Sequence, residues 1–158
     1  RDQFLRGIKP DFIAQPYVGD ISREFTVSGY GDGRGGVPHI FAMRRTLDSA
    51  GFTSVAEVVD SSPFIGPIRR IASHLRPFGP TNFQFREEGD KIFLLEINPR
   101  ISSSTSIRSG FGFNETAMAV KHLSTGRIET PLPAKAGLAI RYVEDYFLQS
   151  TNIPKEKL

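Results

Sequence analysis

The stretch Asn82–Arg100, NFQFREEGDKIFLLEINPR, constrains the fold more than any other part of this chain. Phe83 and Phe85 alternate with Asn82, Gln84 and Arg86, the period of two of a strand buried on one face. Glu88-Gly89-Asp90 has turn composition, and Lys91–Asn98 reads as the returning strand. Regular alternation would put Phe93, Leu95 and Ile97 on one face, and Ile92, Leu94, Glu96 and Asn98 on the other. Glu96 and Asn98 therefore point the same way.

A carboxylate and an amide carbonyl so spaced offer hard oxygens to one point. Magnesium suits such a pair, because it takes oxygen at about 2.0–2.1 Å from one or two carboxylates and fills its octahedron with phosphate and water. Pro99 cannot continue the ladder, so Arg100 leaves the strand as a guanidinium beside that point. A cation next to a metal suits a polyanion bridging the two; the plainer reading is a solvated strand end. Whether Gln84 joins the pair depends on the hairpin loop. A three-residue loop puts it on the Leu94 face, diagonal to Glu96, and a two-residue loop puts it with Leu95. Beyond Arg100, the run Ser102-Ser103-Ser104-Thr105-Ser106 does not build a core but suits a polar loop.

The 158 residues, 39% apolar and 23% charged, fit one soluble globular domain. Apolar runs such as Ile92–Leu95 fall far short of the ~20 residues of a membrane helix, and no signal peptide is evident. The absence of cysteine excludes disulfides, thiolate catalysis and thiolate zinc sites, and is compatible with the cytoplasm. A net charge of +3, with 14 Arg to 6 Lys, suits an anionic ligand. The basic residues are scattered and not interleaved with aromatics, which argues against nucleic acid as a partner.

Along the chain, Asp11–Val18 is expected to be a strand demoted to an edge by Pro16. Arg23–Tyr30 and Val37–Arg45 are expected to be strands flanking GDGRGG, Gly31–Gly36. That glycine-rich run lacks the lysine and hydroxyl of a P-loop and no helix follows it, so it is a hairpin turn rather than a phosphate cradle. Gly51–Asp60 is expected to be extended. Ile65, Ile68, Ile71, Ala72 and Leu75 then recur at helical spacing, with Pro63 or Pro67 in the first turn. The cations Arg69, Arg70, His74 and Arg76 are its wet face. Asn114 caps a helix that Gly126 ends. Gly137–Phe147 is one more strand, and the charged tail from Asn152 is expected to be mobile. Two sites stay open: Arg45 is either surface charge or a contact to a substrate anion, and Arg108 either anchors its loop or contacts a substrate carboxylate.

Phe83-Gln84-Phe85, followed by LLEINPRISSSTSIRSGFGFNE, resembles the carboxyl-terminal half of an ATP-grasp domain, of the type in the large subunit of carbamoyl phosphate synthetase and its stand-alone relatives. The resemblance runs from Phe12 to about Gly126. It implies an α+β lobe over residues 1–130, an antiparallel β-sheet with helices packed on one face, then an extension strand and tail over 131–158. It also implies a fragment of a longer protein, because the lobe that closes over the ATP phosphates is missing. By resemblance, Gln84, Glu96 and Asn98 hold Mg2+ (or Mn2+) on ATP, and Arg100 is catalytic, contacting phosphate. Gln15, Tyr17 and Glu24 match residues around the nucleotide; Gln15 stands where the family commonly has Glu, and as a strand residue Glu24 reads otherwise as a solvated carboxylate.

The implied activity is an ATP-dependent ligase that activates a carboxylate as an acyl phosphate for attack by an amine or similar nucleophile. Its partners would be small carboxylate and amine substrates and the missing amino-terminal lobe, and a homodimer is compatible with the sequence. Ser103 stands where carbamoyl phosphate synthetase carries a second arginine, so that enzyme's substrate does not transfer. Two readings compete with it: a non-catalytic nucleotide-binding or assembly module, and a nucleic-acid-binding β-rich domain, suggested only by the basic charge balance.

Overall fold

One antiparallel sheet of six strands carries every other element, in the spatial order β5-β4-β1-β2-β3-β6. The computed structural model of the protein describes residues 15–142 and residue 144. Its strands are β1 (Glu24–Asp32), β2 (His39–Leu47), β3 (Thr53–Val59), β4 (Phe78–Glu88), β5 (Lys91–Asn98) and β6 (Leu138–Ile140). Three helices join them: α1 (Ser62–Leu75), α2 (Thr105–Gly110) and α3 (Glu115–Thr125). This is the expected α+β lobe. Its helices are not confined to one face as expected: α1 packs on one and α2 and α3 on the other, because alternation leaves two apolar faces to cover.

On one face Val27, Ala42, Phe83 and Phe85 pack against Phe64, Ile68 and Ala72 of α1. On the other, Tyr30, Phe41, Met43 and Ala56 pack against Phe113 and Met118, with Ile107 of α2 alongside. The second apolar patch covers only one end of its face. Beyond it the same face carries Glu24 and Thr26 of β1, Arg45 of β2, Gln84 and Arg86 of β4 and Glu96 of β5, which stand opposite one another across the strands.

The β4–β5 hairpin departs from regular alternation. Glu88 pairs with Lys91 across a two-residue loop, Gly89-Asp90, with Gly89 at φ 58° where the turn needs a left-handed residue. A regular ladder would then set Gln84 opposite Leu95. Instead the register shifts between Gln84 and Phe85: Phe85 pairs with Leu94 and Gln84 with Glu96, leaving Leu95 as the extra residue of a β-bulge. The apolar pattern explains the shift. Ile92 and Ile97 both pack on the α1 core although five positions separate them, which a period of two forbids and one extra residue permits.

The GDGRGG run is a hairpin connection, as expected. The Asp32 carboxylate accepts the N–H groups of Arg34 at 2.7 Å and Gly36 at 2.9 Å, so these donors are engaged within the loop. The Arg34 bond leads the effects that hold the Asp32 carboxyl below its usual range. Gly31 is required by a neighbour, since a Cβ there would lie 2.1 Å from the Pro77 carbonyl oxygen.

Helix α1 has Pro63 in its first turn and Pro67 inside it, not at its start, and it closes on Arg76 in the left-handed conformation at φ 48°. Asn114 caps α3 by accepting the Ala117 N–H at 2.9 Å, and Gly126 ends it at φ 72°. The hydroxyl run is not all loop: Thr105 opens α2, and Ser102 and Ser104 are buried. Residues 15–18 are not a strand, and the rest of the Asp11–Val18 expectation lies outside the described residues. Of Gly137–Phe147, Leu138–Ile140 forms the strand and pairs with β3; its final residues and the tail from Asn152 also lie outside. No helix among the described residues is long and apolar enough to cross a membrane.

Candidate functional site

Gln84 and Glu96 are direct cross-strand partners, and Asn82 pairs with Asn98 one step along the same face. The bulge at Leu95 produces this alignment by bringing Glu96 into register with Gln84. Gln84, Glu96 and Asn98 thus present one carboxylate and two amides side by side. Glu96 is exposed, and Gln84 and Asn98 are half-buried. The Asn98 amide nitrogen is buried without a hydrogen-bond partner; as a donor it calls for an acceptor such as a phosphate oxygen, whereas only the carbonyl oxygen of the same side chain suits a cation. Among the described residues no cluster of three or more His, Cys, Asp or Glu is present. With a single carboxylate and two amide oxygens, the donor set fits a hard cation that brings phosphate and water as its other ligands.

Glu24 is the fulcrum of the neighbouring cluster. Only 3% exposed, its carboxylate is gripped from both sides. One oxygen accepts from Arg45 Nε at 3.0 Å and Nη2 at 2.6 Å, and the other accepts from Arg86 Nη2 at 2.8 Å. Burial alone would raise its pKa; the Arg86 and Arg45 bonds outweigh that and hold the carboxyl below the usual range. The reading of Glu24 as a solvated carboxylate is therefore corrected: both flanking partners in the ladder, Arg45 and Arg86, are cations.

Arg45 also donates from Nη2 to the Gln84 carbonyl oxygen at 2.9 Å, so the residue considered as a substrate contact is bonded to two site side chains. Arg86 reaches the other way. Its Nη1 donates to the Val18 carbonyl at 3.1 Å, and its guanidinium lies 4.9 Å from the centre of the Tyr17 ring. Gly19 N–H donates to Glu88 Oε1 at 3.1 Å. Tyr17 and Gln15 are exposed just before this anchored segment. Arg100 is exposed past the end of β5, with one bond to the Ile101 carbonyl at 3.2 Å.

Arg108 is a structural anchor. It is fully buried at 0% exposure, donating to Glu115 Oε1 at 3.0 Å and Oε2 at 3.2 Å, to Thr26 Oγ1 at 2.7 Å, and to the Asn82 carbonyl. Burial pushes its guanidinium below its ordinary value, and Glu115 opposes the shift. Of the two roles left open for Arg108, the geometry supports the anchor. Ser28 completes the network by bonding Glu115. Sequence reasoning passed over Arg86 and Asn82, although both share the parity of Gln84. Glu115 carries no local sign of its burial, because an acidic residue in a first turn suits the helix dipole whether it faces water or, as here, is 1% exposed.

A family model described as ATP-grasp in the biosynthetic pathway with Ter operon matches residues 10–146. The chain belongs to the ATP-grasp family. No curated protein matches it. The ATP-grasp chain is similar in fold to biotin carboxylase from Campylobacter jejuni, at TM-score 0.51 and 13% identity, over 66% of this chain and 25% of that one. It is also similar to a multifunctional pyruvate carboxylase from Rhizobium etli, at TM-score 0.53 and 18% identity, over 70% of this chain and 11% of that one. At these identities the likeness shows the ATP-grasp fold alone. The chain spans a quarter or less of each of these two proteins.

Proposed function

We propose that this chain is the metal- and nucleotide-binding lobe of an ATP-dependent ligase that activates a carboxylate as an acyl phosphate for attack by an amine or similar nucleophile. The observation that carries the reading is the register of the bulged hairpin, which sets Gln84 against Glu96 with Asn98 beside them. Gln84, Glu96 and Asn98 would hold Mg2+ or Mn2+. Bound there, the metal supplies charge neutralisation and orientation for the ATP phosphates. Family membership and the biotin carboxylase likeness, solved as a beta-gamma-ATP complex, support a nucleotide ligand.

The chain's own residues then divide the work. Arg100, exposed and close in sequence to the two β5 ligands, meets negative charge developing on the transferred phosphoryl group. Gln15 and Tyr17 serve the nucleoside end, on a segment that Arg86 and Glu88 pin to the sheet. Glu24 acts from beneath by fixing Arg45 and Arg86 rather than by touching substrate. The substrates and a second lobe belong to the longer protein, and the isolated chain is expected to bind without turning over.

Calorimetry with Mg-ADP tests the binding half, with Glu96→Ala as control: uptake that needs both magnesium and Glu96 supports the site, and uptake indifferent to Glu96 sinks it. In the full-length enzyme, Arg100→Ala should lower the rate on the order of a hundredfold or more. A rate near wild type would remove Arg100 from the mechanism.

A further inference from the structure

Gln84 is called on twice. Under the function proposed above its carbonyl oxygen is a metal ligand, yet that atom already accepts from Arg45 Nη2 at 2.9 Å. A guanidinium has only donors, so the Gln84 atom facing it must be the oxygen and not the amide nitrogen. That oxygen keeps a second lone pair, but a cation using it would sit beside a fixed guanidinium that draws electron density from the oxygen and repels the metal.

The surrounding charge reinforces the conflict. Glu24, the buried carboxylate next to Gln84, is already paired with Arg45 and Arg86 at 2.6 and 2.8 Å. Glu96 has no ionic partner among the described residues and is the remaining anionic ligand. A bare divalent cation would meet one free carboxylate, one free amide, and an oxygen held by a fixed positive group. Arg45 cannot swing aside cheaply, because it is 9% exposed and Glu24 holds it through both Nε and Nη2.

We propose that Arg45 is a specificity-determining residue of the metal site: by holding the Gln84 oxygen and placing positive charge against the ligand set, it makes the lobe refuse a free divalent cation and accept one only with a polyphosphate. The polyphosphate brings the oxygens and the negative charge that the protein withholds. This rests on the metal-site reading above and adds an order of loading, in which metal and nucleotide arrive together. The order guards the site against occupation by metal alone.

The test is Mn2+ binding to this chain without nucleotide, followed by loss of the free-ion electron paramagnetic resonance signal, and Mn-ADP binding followed by calorimetry, because ADP itself chelates Mn2+ and removes the free-ion signal. Wild type should take up Mn2+ alone at least tenfold more weakly than Arg45→Met, whereas Mn-ADP affinity should change less than threefold. Arg44→Met removes the same charge from the opposite face, where Arg44 pairs with Glu57, and should change free Mn2+ binding less than twofold. In a Gln84→Ala background the gain from Arg45→Met should shrink by threefold or more, which a purely long-range charge effect would not do.

Should Arg45→Met fail to fold, Arg45→Gln decides: it keeps an amide donor beside Glu24 and Gln84 without the charge, and should bind free Mn2+ at least tenfold tighter than wild type. Wild-type uptake of free Mn2+ as tight as Mn-ADP overturns the inference. So does a folded Arg45→Met that gains nothing while Glu96→Ala still weakens Mn-ADP, a result that leaves the metal site standing. If Glu96→Ala leaves Mn-ADP binding unchanged, the metal site itself falls, and the role of Arg45 with it.

Discussion

Removing the Glu115 side chain tests whether the buried polar network holds the lobe together. Arg108 and Glu115 are 0% and 1% exposed, so no bulk water can replace the lost carboxylate. In Glu115→Ala the guanidinium would keep only Thr26 and Asn82 as acceptors, with its Nε already unpartnered. Stranding one partner of a buried pair in this way costs about 3–5 kcal/mol. Domains of this size are stable by only about 5–15 kcal/mol, so most of the margin is at stake. In urea, with a slope of about 2 kcal/mol/M, the midpoint should fall by about 2 M.

The double variant Arg108→Met, Glu115→Leu removes both charges and should recover most of that loss, because the penalty comes from the unpaired ion rather than from the missing attraction. A Glu115→Ala loss below about 1 kcal/mol, the range of exposed pairs, would refute the reasoning and mean that solvent reaches Arg108.

Three further outcomes are expected. The Glu24 carboxyl is held below its ordinary 4.5, so its contribution to stability is fully present above that pH and is lost as pH falls through the lowered folded value. Glu24→Gln should therefore flatten the acid limb of stability below about pH 4.5, and an unchanged limb in urea titrations at several pH values would contradict the clamp. Arg76→Gly should raise stability by about 0.5–1 kcal/mol in thermal melts, since glycine tolerates the left-handed φ that arginine adopts there; a loss would mean that the Arg76 side chain contributes more than its backbone costs. Deleting Leu95 converts the bulge into a regular ladder and should keep Gln84 opposite Glu96, visible as a retained cross-strand nuclear Overhauser contact. Loss of that contact in a folded protein would show that the bulge has another function.

Much of the fold was legible because its signals are local. The hairpin at Asn82–Asn98, the turn at Gly31–Gly36, the capped helix between Asn114 and Gly126 and the amphipathic α1 each follow from periods, caps and turn residues within about a dozen positions. The pairing of Gln84 with Glu96 was posed by the sequence but not answered. A two-residue loop alone would have put Gln84 opposite Leu95, and the bulge that prevents this is selected by packing Ile92 and Ile97 on α1, more than fifteen residues upstream.

Residue types and spacing alone pointed to most of the strands, to the shared face of Glu96 and Asn98 on β5 and to the class of cation that such a pair suits. Tertiary structure alone decided what the arginines do. Arg45 and Arg86 clamp Glu24 because three antiparallel strands bring residues from three parts of the chain into one row. Arg108 disappears from solvent because α2 lies over Thr26 and Asn82 and meets Glu115 of α3. A guanidinium reads the same in a sequence whether it faces water, a substrate or a buried carboxylate. Its role depends on which oxygens the fold places within about 3 Å, and no local pattern encodes that distance.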